Sequence, residues 1–91
     1  MAGLFQTCAF GYVHSARFLI EHGADMDIIG TLEDDTALIL AVAYGYPDVV
    51  QLLVDSGADL HIVDIYNMTA LGWALYIEDK ESEKILILAE G

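Results

Sequence analysis

Between Thr36 and Asp59 apolar positions recur at helical spacing. Ala37, Leu38, Ala41 and Val42 follow at steps of three and four, and so do Val49, Val50, Leu52 and Leu53. This periodicity puts side chains on one face of an α-helix. Gly45-Tyr46-Pro47 breaks the two runs, and a first helical turn tolerates proline because the missing N–H has no partner there to lose. Gly57 stands just past the second run, where a left-handed residue commonly ends a helix. The segment predicts an antiparallel helix pair with a tight turn. Alone, such a pair leaves apolar surface that only a neighbour can cover.

The chain supplies neighbours by repeating the pair. Gly23-Ala24-Asp25 returns as Gly57-Ala58-Asp59, and Gly11-Tyr12 returns as Gly45-Tyr46 at the same offset. Thr36-Ala37-Leu38 returns as Thr69-Ala70-Leu71 at an offset one shorter. Phe18-Leu19-Ile20 falls on Leu52-Leu53-Val54, with Leu86-Ile87-Leu88 in the same place again. One supersecondary unit per fixed period is the pattern of a solenoid.

At these markers the chain resembles the ankyrin repeat family. The family pattern T-P-L-H-x-A-A-x-x-G-H, then V-V-x-L-L-L, then G-A-D appears as Thr36-Ala37-Leu38-Ile39-Leu40-Ala41-Val42-Ala43-Tyr44-Gly45-Tyr46, then Val49-Val50-Gln51-Leu52-Leu53-Val54, then Gly57-Ala58-Asp59. The resemblance implies an all-α fold: a short ankyrin-like solenoid of about three helix-turn-helix repeats joined by hairpin-like loops. It implies one domain over residues 1–91, with repeats at about 1–28, 29–62 and 63–91, the first and last irregular. Met1 to Phe10 can supply a first helix without a Thr-Pro-Leu-His equivalent. Near the end, Ile77-Glu78 stands where the turn glycine belongs, and the run from Glu78 to Glu83 reads as carrying one extra residue. The proline and histidine of the tetrapeptide are replaced by Ala37 and Ile39, and by Ala70 and Gly72. The function implied is non-catalytic protein–protein recognition by the concave face and loop tips. The alternative is a structural stacking unit, or a fragment of a longer array, with no binding site of its own.

Composition sharpens this picture. A hydrophobic share of 56% and mean hydropathy of +0.50 are high for 91 residues, and a solenoid needs polar terminal repeats to stay in solution. Met1-Ala2-Gly3-Leu4-Phe5 carries no charge and caps poorly. The favoured explanation is a piece or degenerate copy of a longer array; the other is self-association through the ends. The longest apolar run, Ala37 to Pro47, falls well short of the roughly 20 residues that span a membrane. The N-terminus has no basic region of the kind that opens a secretory signal. Cys8, the one cysteine, reads as a buried core thiol at the position later held by Val42 and Leu75. An intracellular, cytoplasmic setting is the default expectation.

Fifteen acidic residues oppose only Arg17, Lys80 and Lys84, for a net charge of −12. Nucleic-acid binding needs Lys and Arg against phosphate, so that class is excluded. A basic protein partner is the complementary expectation, because opposite fields steer association. The plainer alternative is that the carboxylates only keep an apolar solenoid dissolved.

Two surfaces stand out. Glu33-Asp34-Asp35 lies in the loop before Thr36, which the family projects as a hairpin tip, and three carboxylates there would hold Lys or Arg side chains. The alternative is a solvated turn in which Asp34, Asp35 or Thr36 caps the next helix. Calcium fits less well, because its loops alternate ligands and end on a distal glutamate. The second surface is aromatic. Phe10 and Tyr44 precede the turn glycines, Ile77 is their counterpart beside Tyr76, and Tyr66 and Met68 sit in the loop before Thr69. By the resemblance these six residues line the concave face; the alternative is that the rings pack between repeats. Tyr12 and Tyr46 read as inter-repeat packing, Trp73 as core, and Asn67 as a left-handed loop residue. No nucleophile motif, phosphate-cradling glycine loop or zinc spacing is present, so neither an enzyme nor a cofactor or metal is expected.

Overall fold

The computed structural model describes residues 3–27 and 35–90, the Phe5 side chain aside. They form six α-helices: α1 (Leu4–Ala9), α2 (Val13–Glu21), α3 (Ala37–Ala43), α4 (Pro47–Asp55), α5 (Ala70–Tyr76) and α6 (Lys80–Glu90). No strand occurs among the described residues. Each odd helix packs on the even helix that follows it; α1, α3 and α5 lie side by side in one layer, and α2, α4 and α6 in a second.

Local chemistry accounts for the boundaries. Thr36 and Thr69 cap α3 and α5, their hydroxyl oxygens accepting from the backbone N–H of Ile39 (3.3 Å) and Gly72 (3.1 Å), which satisfies donors left free in a first turn. Pro47 opens α4. Five helices end alike, in a left-handed residue whose successor bonds back across the last turn, as in Tyr12 N–H to Thr7 C=O, Tyr46 N–H to Ala41 C=O and Asp79 N–H to Ala74 C=O. This is the Schellman closure. Gly11 and Gly45 supply the left-handed backbone in the first two repeats, and Glu78 (φ 59°) supplies it in the third.

That closure corrects the expected extra residue in the last repeat. Gly45 to Glu78, Pro47 to Lys80 and buried Leu53 to buried Leu86 are all separated by the same interval, the one that relates Thr36 to Thr69. Ile85-Leu86-Ile87, rather than Leu86-Ile87-Leu88, therefore occupies the place of Leu52-Leu53-Val54, and Leu88 is exposed to solvent. Asp79 replaces Tyr46 and starts α6, accepting from the Ser82 backbone N–H (3.2 Å) and hydroxyl (2.8 Å).

The core centres on the second repeat. Every residue from Ala37 to Val42 is buried, as are Val49, Val50, Leu52 and Leu53. The outer helices bury less: α2 contributes Ala16, α5 contributes Ala70 and Ala74, and α6 contributes Ser82 and Leu86. Cys8 and Val42 are fully buried as expected, but Leu75, their counterpart, is exposed. A flank that faces a following repeat in α1 and α3 faces solvent in α5. Between repeats, Tyr46 lies where a Cβ on Gly11 would sit, 2.5 Å from the ring, and Asp27 accepts from the Asp59 N–H at 2.9 Å.

Candidate binding surface

The loop entering α5 is built around Asp64, which is 5% exposed. Its Oδ1 accepts from the backbone N–H of Tyr66 (2.9 Å) and Met68 (3.1 Å), and its Oδ2 accepts from the Trp73 indole N–H (2.7 Å). Backbone bonds from Asp64 N–H to Met68 C=O and from Asn67 N–H to Asp64 C=O close the turn. Asn67 makes the left-handed step at φ 61°. One buried carboxylate thus joins the loop to the helix through charge-assisted bonds, stronger than neutral ones.

This clamp fixes an aromatic cluster. The Trp73 ring stands 6.3 Å from Tyr66 at 80° and 5.8 Å from Tyr76 at 89°, both within the range favoured for edge-to-face pairs. Tyr66, Met68, Trp73 and Tyr76 line an open cleft of about 370 Å³. Tyr66 and Tyr76 remain 56% and 74% exposed, so their ring surfaces are presented rather than buried between repeats.

Of the residues expected to form the surface, Tyr66, Met68 and Tyr76 come together. Trp73, expected in the core, does both jobs: it packs on the core and forms one wall of the cleft. Phe10, Tyr44 and Ile77 occupy the C-terminal caps of α1, α3 and α5. All three are exposed, and they form a row across the odd-helix layer without lining the cleft. Phe10 instead stacks at a tilt on Tyr12, 5.8 Å away. Glu33 and Asp34 lie outside the described residues. Asp35 is buried, and Thr36 provides the cap of α3. Asp64 had no place in the expected surface; its only signal was an acid shortly before a threonine cap.

A larger groove of about 800 Å³ runs between α4 and α6 on the other layer, with Asp48, Asp55 and Glu81 around Lys84 and Leu88. It has no aromatic lining, and its acids are intermixed with a lysine, so it offers a ligand no converging chemistry. Cys8 is no nucleophile: burial pushes its thiol up from 9.0 to about 11, against a smaller lowering by the Thr7 hydrogen bond.

Stacked helix pairs in common register, with one layer edged by exposed rings, define a repeat solenoid. The sequence pattern of ankyrin repeats (3 copies) matches residues 2–64, and the chain belongs to the ankyrin repeat family, whose members are in general protein–protein interaction modules. Helices α5 and α6 lie beyond that span and extend the same geometry. Among solved structures, an ankyrin repeat domain from Acinetobacter baumannii AYE is similar at a TM-score of 0.90 and 30% identity, over 96% of this chain and 46% of that one. The chain thus spans about half the length of that relative. No curated protein matches the sequence.

Proposed function

We propose that the chain is a non-catalytic recognition module whose odd-helix layer and adjoining loops bind a basic segment of a partner protein. The observation that carries this reading is the clamped cluster of Tyr66, Met68, Trp73 and Tyr76 on a chain of net charge −12. Tyrosine and tryptophan give rigid contact area, and their ring faces attract cations. Phe10, Tyr44 and Ile77 extend that surface along the layer, with Glu33 and Asp34 as the charged edge.

Calorimetry with an octapeptide of alternating lysine and glycine tests this. Binding should weaken at least tenfold in Tyr66→Ala/Tyr76→Ala, and Glu33→Lys/Asp34→Lys should flatten its salt dependence. Equal affinity for wild type and the tyrosine variant would remove the proposal.

A second reading, end-on stacking, is favoured by one observation. Tyr46 covers Gly11 of the repeat before it, and Tyr12, its counterpart one repeat earlier, is exposed. If the ends associate, sedimentation will show concentration-dependent mass that Tyr12→Ser lowers; a concentration-independent monomer rules this reading out.

A further inference from the structure

We infer that the cleft between Tyr66, Met68, Trp73 and Tyr76 is a cage for a quaternary ammonium head, the trimethylated side chain of a lysine in the bound segment. This deepens the recognition reading above and rests on it. Three aromatic side chains and a thioether line the cleft, and the two tyrosine rings stand nearly perpendicular to the indole, at 80° and 89°. Rings set at right angles wrap a roughly spherical group better than a flat one. Aromatic walls of this kind recognise cations through their negative faces.

The hydrogen bonds decide which cation. No carboxylate lines the cleft, and Asp64, which holds its walls, has Oδ1 engaged by two backbone N–H groups and Oδ2 by the indole N–H. A primary ammonium carries three N–H donors, and each one turned toward a ring face or the thioether gives up a water for a weaker acceptor. A trimethylammonium keeps the charge, has no N–H to satisfy, and presents methyl groups to the rings. The buried Asp64 charge behind the indole also polarises its N–H, making the ring a better cation partner in the sense that linked hydrogen bonds strengthen one another. The overall charge of −12 favours a cationic ligand over a neutral one of the same shape.

The test follows the intrinsic fluorescence of Trp73, the chain's one tryptophan. The probes are a glycine-flanked pentapeptide carrying trimethyl-lysine, the same peptide with unmodified lysine, and the same peptide with the uncharged all-carbon isostere of trimethyl-lysine. The trimethyl peptide should bind about tenfold more tightly than either of the others. In Tyr76→Ala, at a 74% exposed position where the thermal melt should not move, this preference should fall below threefold. Tyr66→Ala should do the same. Equal binding of the lysine peptide overturns the donor argument, and equal binding of the isostere overturns the cation argument. Tetramethylammonium that quenches Trp73 while the trimethyl peptide does not would overturn the peptide as the source of the head group. Salt-dependent binding of the octapeptide without any preference for the trimethyl form would sink the cage and leave the recognition reading standing.

Discussion

Glu78 is the one residue with a charged side chain at positive φ among the described residues (59°). Left-handed backbone costs an L-residue roughly 1–2 kcal/mol, offset by the entropy glycine would lose on folding. Glu78→Gly should therefore stabilise by up to about 1 kcal/mol, raising the melting temperature by a few degrees. Gly11 and Gly45 share positive φ but not surroundings. A Cβ on Gly11 meets the Tyr46 ring, and one on Gly45 meets nothing within 4 Å. Gly11→Ala should be the more damaging by about 1–3 kcal/mol, the usual cost of overpacking, and the difference should vanish in a Tyr46→Ala background. Both are readable in denaturant melts.

Cys8 adds a pH prediction. With its thiol raised from 9.0 to about 11 by burial, folded and unfolded forms are both neutral at neutral pH. As pH rises from about 9 to about 11, the unfolded thiol ionises and the folded one does not, so stability falls, by roughly 2–3 kcal/mol at most. Cys8→Ala should abolish that portion of the alkaline loss, and a thiol reagent at neutral pH should label native protein only at the rate of unfolding.

At the scale of elements, the caps decide where chain and chemistry meet. Asp64 holds Tyr66, Met68 and Trp73 through three bonds. Removing a buried charged acceptor strands its donors at about 1–3 kcal/mol or more, so Asp64→Ala should lower stability by that amount and shift or broaden Trp73 emission as the cleft loosens. The middle repeat is legible from the sequence because its threonine, proline and glycine signals agree with its apolar period. The last repeat is harder to place because Leu86-Ile87-Leu88 matches Leu52-Leu53-Val54 at the earlier offset. The stretch from Gly57 to Thr69, however, is one residue shorter than that from Gly23 to Thr36, which sets every later marker, Glu78 included, one position earlier and makes Leu86 the buried residue. Alignment with Leu40 assigns Trp73 to the core. Periodicity reports which face of a helix a residue occupies; it does not report that one flank of α5, with Leu75 and Tyr76, is exposed among the described residues. Asp64 is invisible for a related reason, since its role depends on a more distant indole folding back onto it.

At the scale of the molecule, charge and shape act together. A net charge of −12 on 91 residues produces self-repulsion that opposes the compact state. Moderate salt, with a screening length of about 8 Å at about 0.15 M, should raise the melting temperature while weakening binding of a basic peptide. Opposite responses of stability and affinity to the same salt are the mark of an acidic recognition surface. Within the described residues no helix is long and apolar enough to cross a membrane.

The most direct test is to map the lysine–glycine octapeptide onto the folded chain by amide and indole chemical-shift changes. The largest changes should fall at Tyr66, Met68 and Tyr76 and at the Trp73 indole N–H, spreading along the odd-helix layer to Tyr44. Changes centred on Asp48, Asp55 and Glu81, with the Trp73 indole unmoved, would place binding in the groove between α4 and α6 and contradict it.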